Sequence, residues 1–211
     1  MTDNTEIKNE VQKASEAPEA ENTSAEAAGE KPAEKKKDSE LMEWVKTIVP
    51  AVIAAFLILQ VIQPTIVRGT SMESTLIEND YLIVYKLAYK FGAEPKFGDI
   101  VVCDSSLTTD SGAEKLLIKR VIGVPGDTIS VTGGQVYLNG EAISEDYIKD
   151  GYTTGEIAET VIPEGMYFLM GDNRLASMDS RDSRVGMIKE SDLIGKAVFR
   201  LFPFSKLGGL Y

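Results

Sequence analysis

A chain of 211 residues with 33 acidic and 22 basic side chains, a net charge of −11, one cysteine and no histidine has room for one ordinary domain and something more. The acidity argues against nucleic acid as a partner, because a phosphate-binding surface needs a clustered basic footprint, and the single Cys103 excludes an internal disulfide and a thiolate metal cage. The missing histidine excludes Ser-His-Asp and Cys-His catalysis and the commonest zinc sites.

Residues 1–40, rich in Ala, Glu, Lys and Ser and without an aromatic side chain, bury too little apolar surface to offset their ordering entropy and are expected to form a disordered acidic tail. From Thr47 to Val67 the run TIVPAVIAAFLILQVIQPTIV carries no charged side chain. A helix rises ~1.5 Å per residue, so about 20 such residues cross a hydrocarbon core of ~30 Å. A buried core helix is the alternative, but a helix apolar on every face fits lipid better than a half-exposed surface. The expectation is one transmembrane anchor over residues 41–66, with its apolar centre at Ile48–Ile62. It begins too far into the chain for a cleaved signal peptide, and no small-residue cleavage site follows before Ser71. Trp44 stands at one edge, and Lys35, Lys36, Lys37 and Lys46 cluster on that side. The positive-inside bias then puts the N-terminus in the cytoplasm and residues 67–211 outside a cell membrane crossed once.

After Arg68 the pattern turns to strands. YLIVYKL, DIVVCD, LLIKRVIGV, DTISV, GQVYLNGEAI, MYFLMGD and AVFRLF are short, β-branched or aromatic, and separated by turn residues. Asn139-Gly140 between apolar flanks predicts a two-residue hairpin, and Pro125-Gly126 suits the middle of a type II turn. No helical period is sustained beyond the anchor, apart from a turn near Glu190. The exported part reads as a mostly β, antiparallel domain with a smaller lobe inserted at about 133–164. Cys103, inside DIVVCD, reads as packing.

Ser71 follows a Gly-Thr pair at a sharp turn and has the look of a nucleophile. A serine hydroxyl needs a positioned base, and without histidine the base must be Asp, Glu, Lys, Tyr or a terminal amine. The G-x-S-x-G elbow fails at Glu73, and S-x-x-K fails at Ser74. In LLIKRVIGV, strand alternation puts Leu117, Lys119 and Val121 on one face and Ile118, Arg120 and Ile122 on the other. A free lysine titrates near ~10.4, so about one in a thousand is neutral at pH 7.4. Burial among aliphatic side chains lowers that value by several units and makes a general base. The alternative for Lys119 is a packed stem with its head in water. A third stretch, GDNRLASMDSRDSR, is dense in polar residues: Ser177 suits the holding of a neutral amine, since a hydroxyl both donates and accepts, and Asp179 with Arg181 suits a carboxylate–guanidinium pair. Asp182, Ser183 and Arg184 also read as a solvated loop.

SMESTL at Ser71–Leu76, GDIVV at Gly98–Val102, KRVIGVPGD at Lys119–Asp127 and GDNRLASMDSR at Gly171–Arg181, in this order behind an anchor, resemble the type I signal peptidases. The resemblance runs from about Trp44 to the end, including the closing FRLFPFSKLG, and leaves out the acidic tail. It implies a mostly antiparallel β catalytic domain behind one transmembrane helix, with an apolar surface that dips into the outer leaflet of membrane lipid. By the same resemblance Ser71 is the nucleophile, Lys119 the general base, Ser177 the hydroxyl that orients the lysine, and Asp179 with Arg181 a supporting ion pair. Its substrates are exported preproteins cut after small residues at −3 and −1, with no metal or cofactor. A single anchor looks more like the Gram-positive members than the two-anchor Gram-negative ones. Ser74 stands where the family usually has proline, Leu175 and Ala176 where polar residues are common, and Gly69 where some members carry a serine that helps bind the oxyanion. With Gly69 the oxyanion hole relies more on backbone N–H groups, that of Ser71 among them. Two rival readings share features with this one. A self-cleaving repressor-type protease uses the same pair but needs a DNA-binding module where this chain has an anchor. An inactive membrane-tethered domain would capture extended peptides without cutting them.

Overall fold

The computed structural model describes residues 34–108, 112 and 114–210, and the side chains from Leu41 on except those of Ser106 and Glu114; most of the expected acidic tail lies outside the described residues. Helix α1 runs Glu34–Val61. Its stretch Leu41–Val61 has a mean hydropathy of 2.0 and none of its apolar window buried, so it is long and apolar enough to cross a membrane. Internal contacts divide the chain at Thr47 into two units, the second of which, Ile48–Tyr211, carries every strand found among the described residues.

The helix stops earlier than the expected anchor boundary at 66. Ile62–Ile66 is instead the first strand, β1, paired antiparallel with β2 at Tyr81–Tyr85. Pro64 would remove a hydrogen bond from a helix and clash with the preceding turn. On β1, an edge strand, its missing donor costs nothing, and the β-branched Ile62, Thr65 and Ile66 favour the extended chain.

The main sheet also contains β3 (Ile100–Thr108), β4 (Glu114–Gly123), and four later strands. Of these, β9 is Met166–Met170, β10 Ile188–Lys189, β11 Leu193–Phe202 and β12 Gly208–Gly209. Its order is β1-β2-β11-β3-β4-β9-β10, with β12 on β11, and each pairing is antiparallel. A second, four-stranded sheet is built from β5 (Thr128–Thr132), β6 (Gln135–Leu138), β7 (Glu141–Ala142) and β8 (Ile157–Val161), in the order β7-β6-β5-β8. The lobe therefore begins one strand before Gly133, because the Gly133-Gly134 turn folds β6 back on β5. The Asn139-Gly140 hairpin is present with both residues at positive φ, 54° and 80°. Gly126, at φ 86°, takes the left-handed place in the Pro-Gly turn, where Asp127 N–H reaches Val124 O at 3.1 Å.

Three apolar cores follow from this layout. One, around Val101, Cys103, Leu117, Val121 and Leu169, lies on one face of β4. Another, with Ile122, Ile129, Val136 and Phe168, joins β4 and β9 to the small sheet. The third, with Val67, Met72, Leu76, Leu82 and Ile100, backs the turn after β1, and Ile118 packs against it. Strand β4 is thus covered on both sides, which is what buries a polar group placed along it.

Candidate active site

Ser71 sits in the turn between β1 and β2. That turn is pinned from below by Met72 and Leu76, 1% and 0% exposed. It is closed by Glu73 N–H to Thr70 O at 3.1 Å and Leu76 N–H to Met72 O at 2.8 Å, and not by the Ser71 N–H. Across the turn, Asn173 holds it twice, through its backbone N–H to Ser71 O at 3.0 Å and its Nδ2 to Thr70 O at 3.1 Å. Ser74 has φ 89°. A proline ring is fixed near −65°, so the chain at this residue takes a path closed to proline.

Lys119 comes to Ser71 from β4. Its Nζ donates to Ser71 Oγ at 2.7 Å and to Ile118 O at 3.0 Å, and the residue is 2% exposed. Its strand neighbours Leu117 and Val121 belong to the core around it, so little water reaches the amine. Burial lowers the lysine to about 8, against the opposing pull of the Asp179 charge. At pH 7.4 roughly a fifth of such amines are neutral, against about one in a thousand for a free lysine. Cys103, paired across the sheet with Leu117, is buried, and burial pushes its thiol up to about 12; it is an apolar neighbour of the amine rather than a second nucleophile.

The 171–181 segment lies on both groups. Arg181 grips Asp179 bidentately, Nε to Oδ1 and Nη2 to Oδ2, both at 2.8 Å. Asp179 Oδ2 also accepts from Gly171 N–H at 3.0 Å. Burial disfavours the Asp179 charge, but Arg181 and that N–H outweigh it and hold the carboxyl below the ordinary carboxylate value. Ser177 lies beside Gly171: a Cβ built there would sit 2.3 Å from Ser177 Oγ and 2.4 Å from Ser71 O. Ser177 Oγ is buried without a hydrogen-bond partner, yet near enough to favour the Asp179 charge. It does not bond Lys119 in this structure, so the structure brings Ser71 and Lys119 together, and Asp179 with Arg181, while Ser177 stands adjacent and unengaged.

Two further sets of residues carry the site without having been assigned roles from sequence. Arg120 is buried, with Nε and Nη2 on the two Asp172 oxygens at 2.9 and 2.7 Å, and its Nη2 reaches Thr75 Oγ1 at 3.2 Å. Arg174 is likewise buried, on Gly171 O at 2.9 Å, Thr153 Oγ1 at 2.7 Å and Glu145. The signal was present in KRVIGV and GDNR as charges inside apolar strands, since a buried charge must be paired. What sequence lacked was any means of matching partners more than 20 residues apart.

A serine hydroxyl against a dry amine, with no imidazole, is the equipment of a serine–lysine hydrolase on an antiparallel β scaffold. The family described as signal peptidase, peptidase S26, matches residues 41–202, and the chain belongs to that family. It is 40% identical over 183 residues to signal peptidase I of Bacillus licheniformis, covering 81% of this chain and 94% of the relative. It is 38% identical to signal peptidase I T of Bacillus subtilis (strain 168), covering 82% and 91%. A crystal structure of a signal peptidase I from Enterococcus faecalis V583 is 30% identical over 49% of this chain and 96% of that one, with a TM-score of 0.39.

Proposed function

We propose that this chain, a membrane serine endopeptidase of the signal peptidase I class, removes N-terminal signal peptides from exported preproteins with Ser71 as nucleophile and Lys119 as general base. The observation that carries the assignment is the 2.7 Å contact between Ser71 Oγ and the Nζ of a lysine only 2% exposed. In the neutral form the same contact runs from hydroxyl to amine. Ser71 Oγ attacks the scissile carbonyl as its proton passes to Nζ; the new C–O bond gives a tetrahedral oxyanion. The ammonium then protonates the leaving amine as the C–N bond breaks, and the neutral lysine activates water to hydrolyse the acyl-enzyme. The Ser71 N–H, not used in closing the turn, is a donor for the oxyanion. Ser177 supports the lysine by rotating its unpaired hydroxyl, and Asp179 with Arg181 fixes the segment that carries it.

The substrate segment binds extended. β9 pairs with β4 from Arg120 onward, while β3 pairs with it from Leu116 to Arg120. The second edge of Leu116–Ile118 is therefore open just before Lys119, a place for strand addition by a preprotein with small residues at −3 and −1. Residues 1–40 form the cytoplasmic tail, the anchor continues from 41, and residues 67–211 face outward from the membrane. Exposed rings at Tyr81, Phe202 and Phe204, stacked edge to face at 6.0 and 5.5 Å, supply an apolar surface for the outer leaflet.

Purified protein in detergent is incubated with a preprotein, and the product's new N-terminus is sequenced. Cleavage after a small residue by the wild type, and none by Ser71→Ala, is the expected result. A bound but uncut preprotein supports a capture domain instead, and cutting of the chain itself alone supports the repressor-type reading.

A further inference from the structure

A serine at φ 89° is a strained residue, and such strain persists where the surroundings hold it. For Ser74 a single short segment does the holding. Glu145–Lys149, which follows β7 in the small-sheet lobe, touches each part that builds the site. Ser74 Oγ donates to the Tyr147 carbonyl. Lys149 Nζ donates to Glu73 Oε2 at 2.6 Å, and Lys149 N–H donates to Asp172 O at 3.1 Å. The Tyr147 ring covers the guanidinium of Arg120, next in chain to Lys119, at 4.0 Å from its centre. Glu145 pairs with Arg174, which holds Gly171 O.

We propose that Glu145–Lys149 is a strap that positions the nucleophile turn against the lysine strand, with Ser74 and Lys149 as the positioning residues. The inference rests on Ser71 and Lys119 being the reacting pair. Neither Ser74 nor Lys149 touches the reacting atoms; both act through Glu73 and Ser74, the second and third residues after the nucleophile. A proline ring cannot adopt the φ of 89° found at position 74, so this turn cannot be fixed from within in that way. With serine there, the 73–74 end of the turn gains a hold from another lobe, through one hydroxyl and one ion pair, beside the bonds that Asn173 makes at Thr70 and Ser71. A nucleophile displaced by ~1 Å loses about a hundredfold in rate, so a strap that fixes the turn to a fraction of that is felt in kcat.

The test measures kcat and KM for preprotein cleavage across pH, in detergent, for wild type, Ser71→Ala, Ser74→Ala, Lys149→Met, their double variant and Lys149→Arg. Each single strap variant is expected to lower kcat roughly tenfold with KM within about twofold. The alkaline pH midpoint stays at the wild-type value. Lys149→Arg keeps wild-type kcat, and the double variant loses less than the product of the singles. The Lys149 side chain is 45% exposed, so its variants fold even where Ser74→Ala does not. Wild-type kcat in Lys149→Met or in Ser74→Ala overturns that residue's place in the strap. A loss in KM alone overturns positioning in favour of substrate contact. A loss accompanied by an upward move of the pH midpoint also overturns it, since general loosening would wet Lys119. Cleavage by Ser71→Ala would overturn the nucleophile assignment itself, an outcome separate from failure of the strap.

Discussion

Lys119 is held as a reluctant cation: burial lowers it to about 8, so most of the amine is still protonated at neutral pH and only the neutral fraction fits the proposed role of base. The sign is fixed by the role. A base works deprotonated, so kcat/KM for preprotein cleavage is expected to climb with pH through a midpoint near 8 and to level off above it. A profile flat from pH 6 to 9 would remove the lysine as base. Lys119→Met leaves a side chain of similar length and no proton acceptor; its cleavage is expected to fall by at least about a thousandfold, to the level of Ser71→Ala. Comparing the two variants in one assay matters, because members of a unit that transfers a single proton lose nearly the same when removed one at a time.

At the scale of elements, the Ser71 turn and the 171–174 loop are packed with no slack. A Cβ at Gly171 would meet Ser71 O at 2.4 Å and Ser177 Oγ at 2.3 Å. The hydroxyl can swing away, but the backbone oxygen moves only with Ser71. Gly171→Ala is therefore expected to lower kcat about a hundredfold while circular dichroism keeps its β signature; unchanged turnover would show that the contact yields elsewhere. Such contacts mark where reading the sequence stops. The alternation along LLIKRVIGV placed Leu117, Lys119 and Val121 on one face, and Leu117 and Val121 do share the core on one side of β4. Eight strands, two of them joined by the Asn-Gly hairpin, were legible from β-branched runs and turn residues. β1 was hidden because an apolar run before Pro64 has the composition of a helix and of an edge strand alike, and pairing with β2 decides between them. β8, β10 and β12 were missed for a related reason: IAETV is mostly exposed and IK and GG are two residues long, too short to show a period. Of the candidate site, the residues in contact at Ser71–Lys119 and Asp179–Arg181 stand out in the sequence, whereas the Arg120–Asp172 and Arg174–Glu145 partnerships do not, since pairing across the sheet leaves no local pattern.

Across the whole molecule, buried charge is handled in two ways. Among the described residues Arg120, Arg174, Arg181 and Arg200 each face a carboxylate, Asp172, Glu145, Asp179 and Asp80 respectively, with side chains at most 8% exposed. Breaking any such pair strands a charge in the interior. Lys119 is buried with only a hydroxyl and a carbonyl for partners, and the fold bears that cost. Taking the ordinary value as 10.5 and the folded one as about 8, the cost is full below pH 8, about 3 kcal/mol. It shrinks as pH rises, because between the two values the unfolded chain binds the proton that the folded chain has released, and it is gone above 10.5. Lys119→Met should therefore be more stable than wild type by up to about 3 kcal/mol at pH 7, with the difference declining between pH 8 and 10.5. Urea titrations of both proteins in the same detergent, run from pH 7 to 10, measure it. A variant less stable than wild type at pH 7, or a gain that does not fall with pH, would mean that the amine is solvated and that Lys119 is not the dry base proposed for the reaction.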